Sequence, residues 1–155
     1  MNKLLVGSAV VAAMLFSGCS LFKDVNLKED QSTSSEEVVS KVEGVVLDKV
    51  YFDFDRFDLR GDMFDVVRTN AALITTKAKS ASIVLEGNSD EWGSDEYNQA
   101  LGLKRAKAVK DALVDQGLDA DKITIKSFGE SNLVCTEKTP ECDALNRRVE
   151  FKVIQ

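Results

Sequence analysis

Asp90, Arg105 and the backbone around Gly93 and Ser94 are the groups in this 155-residue sequence best suited to hold a charged ligand. They lie in the stretch Gly87-Asn88-Ser89-Asp90-Glu91-Trp92-Gly93-Ser94, which continues through Asp95-Glu96-Tyr97-Asn98-Gln99 to Lys104-Arg105-Ala106. Asp90 falls between an apolar strand and a helix, in a loop held by rigid elements, where binding side chains are often presented. N–H groups near Gly93 and Ser94 face a helix N-terminus, which favours an anion. Arg105 carries a permanent charge on a planar fork matched to a carboxylate. Together they could hold a small zwitterion, Asp90 taking the ammonium and Arg105 the carboxylate. The same residues also fit a turn aspartate and a purely structural Asp90–Arg105 ion pair. Asp95 and Glu96 are accounted for as partners of the helix dipole. Trp92 is either contact surface or a local lid.

Enzymatic chemistry has little to work with. The chain contains no histidine, which removes Ser-His-Asp and Cys-His nucleophile pairs and the zinc sites that use imidazole. Asp90 and Glu91 are neighbours in a loop and tend to point apart rather than form an acid–base pair. No catalytic residue, metal or cofactor is expected. The formal charge is −6 without a basic run, so nucleic acid is not an expected partner.

The elements that must position the loop can be read from periodicity. Apolar residues make up 44% and charged residues 30%, the balance of an ordinary globular domain. Val45-Val46-Leu47 and Val50-Tyr51-Phe52-Asp53-Phe54-Asp55 read as an extended start. A helix is expected from an Asp62 N-cap to about Lys79, its inner face formed by Phe64, Val67, Ala71, Ile74 and Ala78. Residues 82–87 read as a buried strand and 88–94 as a loop. A second helix is expected over about 95–116, ended by Gly117, with Tyr97, Leu101, Ala108, Val109, Ala112 and Leu113 inward. Residues 123–125 and 147–153 are the remaining strands, joined by a long connection over 127–146. The order β-α-β-α-β-β implies an α/β two-layer sandwich (α+β in arrangement), two helices packed on one face of a mixed sheet, over about residues 46–155.

The Gly87–Ala106 stretch, with Tyr51-Phe52-Asp53-Phe54-Asp55 and Asn146-Arg147-Arg148-Val149-Glu150 in the expected order, resembles the OmpA C-terminal-like peptidoglycan-binding family. The resemblance implies that the bound group is meso-diaminopimelate of the wall's stem peptide. The positions matching Asp90 and Arg105 contact its amine and carboxylate. Phe54 and Asp55 match positions lining the same pocket, and Asn98 and Arg148 match motif residues supporting it. This chain departs from the family at Asn88 and Ser89 (often His and Ala), Trp92 (often Arg) and Lys104 (usually Arg). Those departures bear on affinity or on which wall peptides bind best.

The N-terminal part reads as an address. Leu4–Phe16 is a 13-residue apolar run, shorter than the roughly 20 residues needed to span a bilayer. With Lys3 before it and Ser17-Gly18-Cys19 after it, residues 1–18 have the form of a signal peptide whose end resembles a bacterial lipobox. Cys19 would become the lipidated N-terminus. The absence of Asp after it points to the outer membrane, with the domain facing the periplasm. Residues 19–45 are polar and read as a tether, spanning roughly 28 Å as a random coil; a short helix near 36–46 is the alternative. In an oxidising compartment Cys135 and Cys142, seven apart, are disulfide candidates, with two free thiols as the other possibility. The expected function is an outer-membrane lipoprotein that grips peptidoglycan without covalent bonds. The alternative is an envelope module that docks Tol-type periplasmic proteins, with wall binding secondary.

Overall fold

Four strands and three α-helices account for residues 45–155, which the computed structural model describes. Cys19, the leader and the tether up to residue 44 lie outside the described residues. The order is β1 (Val50–Tyr51), α1 (Met63–Lys77), β2 (Ser82–Asn88), α2 (Asp95–Asp115), β3 (Ile123–Gly129), α3 (Pro140–Asn146) and β4 (Arg148–Ile154). A single 3-10 turn, Ala120–Lys122, precedes β3. The sheet runs β1-β4-β2-β3, with β2 parallel to β3 and β4 antiparallel to both β1 and β2. The helix-length crossover α2 therefore joins parallel neighbours, as such crossovers do. This is the expected mixed-sheet α/β sandwich, with one addition. Part of the 127–146 connection folds into α3, capped by the Thr139 hydroxyl, which accepts from the Cys142 N–H at 3.2 Å, with Pro140 opening the helix. Among the described residues no helix is long and apolar enough to cross a membrane.

The core lies between one sheet face and the two long helices. Val50, Ile83, Leu85, Ile123 and Val149 meet Val67, Ala71 and Ile74 of α1 and Ala106, Val109 and Leu113 of α2. Each buried Val, Leu or Ile contributes roughly 1.5–3 kcal/mol by leaving water. Two expected core members are exposed: Phe64 at the start of α1 and Tyr97 in the first turn of α2 are both about half exposed, and Ala108 and Ala112 are half-buried. In their place α1 buries Asn70, whose amide bridges the Asp48 N–H (3.0 Å) and the Asp48 carbonyl (2.8 Å), tying the chain's entry to the helix.

Helix ends differ in how they are held. α2 starts at Ser94, whose Oγ accepts from the Tyr97 N–H at 3.2 Å. It ends at Gly117, where φ is +91° and the chain reverses through Gly117 N–H to the Val114 carbonyl (2.8 Å) and Leu118 N–H to the Leu113 carbonyl (3.2 Å). Asp62 stands at the start of α1, but it has helical backbone angles and makes no side-chain cap. Its carboxylate is held instead by the Arg60 guanidinium. The expected extended start is also cut short. β1 covers only Val50–Tyr51, and residues 52–62 turn away from the sheet.

Candidate functional site

Strand register gathers three segments at one end of the sheet. Gly87, near the end of β2, pairs with Val149 near the start of β4, and Tyr51, at the end of β1, pairs with Arg148. The loops after β1 and β2 and the residue before β4 must therefore meet. The meeting is tight because β2 and α2 approach through two glycines. A Cβ on Gly87 would lie 1.9 Å from the Gly102 carbonyl oxygen, and one on Gly102 would lie 2.9 Å from that of Gly87. The register shift between Gly87 and Asn88 turns the chain inward. Asn88, Ser89 and Asp90 are then all buried, with the Ser89 N–H donating to the Gly129 carbonyl at 2.8 Å.

Asp90 is 2% exposed, and its Oδ2 accepts from Arg147 Nη1 at 3.0 Å. Arg147 also donates from Nε to the Phe52 carbonyl at 3.1 Å, so one guanidinium joins the β1 end to the β2 loop. No hydrogen bond reaches Asp90 Oδ1 among the described residues. Arg105 has no accessible surface. It donates to three carbonyl oxygens: Nε to Arg56 (2.8 Å), Nη1 to Asn88 (2.9 Å) and Nη2 to Asp53 (3.2 Å). Two of its five N–H groups remain for another acceptor. The Phe52 ring centroid lies 5.4 Å from its Cζ. Burial pushes the Arg105 guanidinium down to about 10; Asp90 and Asp55 oppose that fall and Arg147 adds to it. The two residues singled out from sequence thus share one electrostatic environment. They do not form an ion pair with each other among the described residues.

The other expected site residues divide. Phe54, 59% exposed, lines a cavity of about 640 Å³ together with Trp92, Glu91, Lys138, Asp143 and Arg147. Asp55 sits in the left-handed region at φ +55°, which Asp tolerates, and accepts from the Tyr97 hydroxyl. That hydrogen bond is the main reason the Tyr97 phenol is raised above its ordinary value. Asn98 is buried and donates from Nδ2 to Glu130. Its Oδ1 and the Ser89 Oγ are buried without a partner among the described residues. Arg148 makes no hydrogen bond to Asp90 among the described residues. It donates to Glu150 Oε1 (2.7 Å), the Asn146 carbonyl (3.2 Å) and the Asn132 carbonyl (3.0 Å). Arg147, not Arg148, is the arginine that reaches Asp90. The two are adjacent in a strand-entry segment, so they point in different directions.

The cysteine segment builds the far wall of the cavity. Cys135 and Cys142 are joined in a disulfide, and Asn146 closes the same loop. Its Oδ1 accepts from the Val134 (2.9 Å) and Cys135 (3.2 Å) N–H groups, and its Nδ2 donates to the Cys135 carbonyl at 2.8 Å. Lys138 pairs with Glu91, and Trp92 Nε1 donates to Asp143 Oδ2 at 2.9 Å. Sequence reasoning had no means to find Lys138 and Asp143, because only the folded loop brings them across from Trp92.

The sequence pattern of the OmpA family matches residues 51–147. A peptidoglycan-associated lipoprotein of Pseudomonas putida is 41% identical over 102 residues, covering 66% of this chain and 60% of its own length. The chain thus matches under two thirds of that relative. One of the same name from Mesorhizobium japonicum is 30% identical over 145 residues, covering 90% of this chain and 86% of its own. The crystal structure of the peptidoglycan-associated lipoprotein from Burkholderia pseudomallei superposes with a TM-score of 0.64 at 32% identity, over 68% of this chain and 88% of that one.

Proposed function

Because the chain belongs to the OmpA family, we propose that it is an outer-membrane lipoprotein whose domain binds the diaminopimelate of peptidoglycan without covalent bonds. The observation that carries this reading is Asp90, a carboxylate 2% exposed whose partner Arg147 lines a cavity, and which among the described residues is hydrogen-bonded through one oxygen. An ammonium group entering beside Arg147 adds to Asp90 Oδ1 and gains a charge-assisted hydrogen bond away from water. The carboxylate of the same amino acid is left to Arg147, which lines the cavity, with Arg105 buried behind it. Arg105 also acts as a brace, since it holds the 52–56 loop to the end of β2 through three carbonyls. Phe54 and Asp55 are carried on that loop.

The match to the Mesorhizobium lipoprotein extends along most of the chain, and it supports an anchor at Cys19 followed by a tether over 19–45. Acyl chains contribute roughly 0.8 kcal/mol per buried CH₂, so several of them hold the end firmly. An anchored domain of this kind is held at high effective concentration near the wall. Many weak sites of this kind join the membrane to the wall.

Retention on purified wall sacculi tests the site. The wild-type chain is expected to be retained and to be released by free meso-diaminopimelate. Asp90→Ala and Arg105→Ala, checked for folding by circular dichroism, are expected to wash through. Retention of both folded variants would refute the assignment. Docking of Tol-type partners is tested by crosslinking in cells, where chiefly protein adducts would make wall binding secondary.

A further inference from the structure

We propose that the domain has a mechanical function: β1 is a clamp, loaded in shear, that carries tension between the tether and the wall site. The inference rests on the wall-binding reading above, which puts a membrane anchor before β1 and a fixed wall at Asp90 and Arg147. β1 is antiparallel to β4, and its last residue, Tyr51, pairs with Arg148 at the site end of the sheet. The chain before β1 therefore runs toward the opposite end, where Ser82 pairs with Ile154. Lys49 keeps that direction by pairing with Glu150 at 2.7 Å. A pull on the tether drags β1 along its own axis, away from the site, while the wall holds the other end of the sheet.

The stretch 48–52 is pinned along its length. Asn70 of α1 holds both backbone groups of Asp48, at 3.0 and 2.8 Å. Val50 and Tyr51 pair with Val149 and Arg148. Arg147 holds both backbone groups of Phe52: its carbonyl accepts the Phe52 N–H at 2.9 Å, and its Nε donates to the Phe52 carbonyl at 3.1 Å. Val50 and Phe52 are buried core residues, so a sliding strand must also drag both side chains out. Bonds between antiparallel strands lie perpendicular to the strands, so a force along β1 loads them together. Arg147 also holds Asp90 at 3.0 Å, and tension thus passes from Phe52 to the site through one guanidinium. The chain termini give the weak direction. β4 ends at Ile154, at the same end of the sheet toward which the chain before β1 runs, so pulling the termini apart peels β1 from β4 one bond at a time.

Optical tweezers test the clamp on the unlipidated full chain, held by its Cys19 thiol and by a second cysteine. That cysteine is supplied by Glu91→Cys, in the loop after β2, in one variant and by Gln155→Cys in the other. At one loading rate the rupture force through Glu91→Cys is expected to be at least about twofold that through Gln155→Cys, because bonds loaded together share the force. Adding Asn70→Ala is expected to lower the first force toward the second, while sacculi at rest still retain the Asn70→Ala chain. Equal forces in the two geometries, or a higher force through the termini, overturn the clamp. So does an Asn70→Ala chain that folds and ruptures at the unchanged force; if it does not fold, the two geometries alone decide. Neither handle is the wall, so the expected forces in a chain that sacculi do not retain overturn the wall-binding reading and leave the clamp standing.

Discussion

Asp90→Asn is the perturbation that separates binding from folding at this site. Asp90 and Arg147 have side chains 3% and 13% exposed and meet at 3.0 Å. Unit charges about 4 Å apart at an effective dielectric near 20 attract by about 4 kcal/mol. Removing one partner of such a buried pair typically costs 3–5 kcal/mol, because the other charge stays in place without compensation. Here two cations are left, since Arg105 loses the neighbour that opposes its fall and keeps the repulsion of Arg147. Asp90→Asn is therefore expected to lower unfolding free energy by about 3 kcal/mol, and Arg147→Gln by a similar amount. The double variant removes both charges and is expected within about 1–2 kcal/mol of wild type. Urea denaturation followed by circular dichroism gives the four values of the cycle. The reasoning fails if Asp90→Asn unfolds at the wild-type urea concentration, or if the double variant is no more stable than Asp90→Asn. Because the double variant is folded yet lacks the acceptor, its loss of wall retention is a loss of recognition alone.

Gly102→Ala should lower stability by about 1–3 kcal/mol, although alanine is about 1 kcal/mol the better helix former. Its Cβ would fall 2.3 Å from Ser127 Oγ and 2.9 Å from the Gly87 carbonyl oxygen, and thermal denaturation reads the sign. Reduction of the disulfide, or Cys135→Ser with Cys142→Ser, is expected to cost about 2–3 kcal/mol in loop entropy and to weaken ligands of the Trp92 cavity, both measurable by calorimetry. Burial works against the Glu150 carboxylate, but hydrogen bonds from Lys49 and Arg148 outweigh it and hold the group below its ordinary 4.5. Its contribution is then complete above that pH and is lost as acid carries the pH through the lower folded value. Glu150→Gln should flatten this part of the stability–pH curve.

Periodicity was enough to locate α1, α2, β2 and the last strand, because apolar spacing and an end signal such as Gly117 act locally, whereas the expected Asp62 cap did not form and Ser94 capped α2 instead. The same logic failed where burial depends on what stands opposite. Phe64 and Tyr97 carry apolar side chains at helical spacing, yet both stand in the first turn of their helix and stay about half exposed. Asn70 is polar in sequence and buried in fact, since its partner is a backbone segment 22 residues away. The chemistry of the site divides in the same way. The residue types at Asp90, Arg105, Phe54 and Asp55, and their order between elements, were legible as a binding loop. Which arginine faces Asp90 was not. Arg147 and Arg148 are adjacent and equally charged, and only the pairing of Gly87 with Val149 and Tyr51 with Arg148 decides which one turns toward the β2 loop. The cavity wall of Lys138 and Asp143 likewise exists only after the disulfide loop has closed, because its contacts to Glu91 and Trp92 span about 50 residues of chain. Local spacing determines which face a residue can occupy, whereas contacts between distant segments depend on register and close approach, which no single stretch of sequence contains.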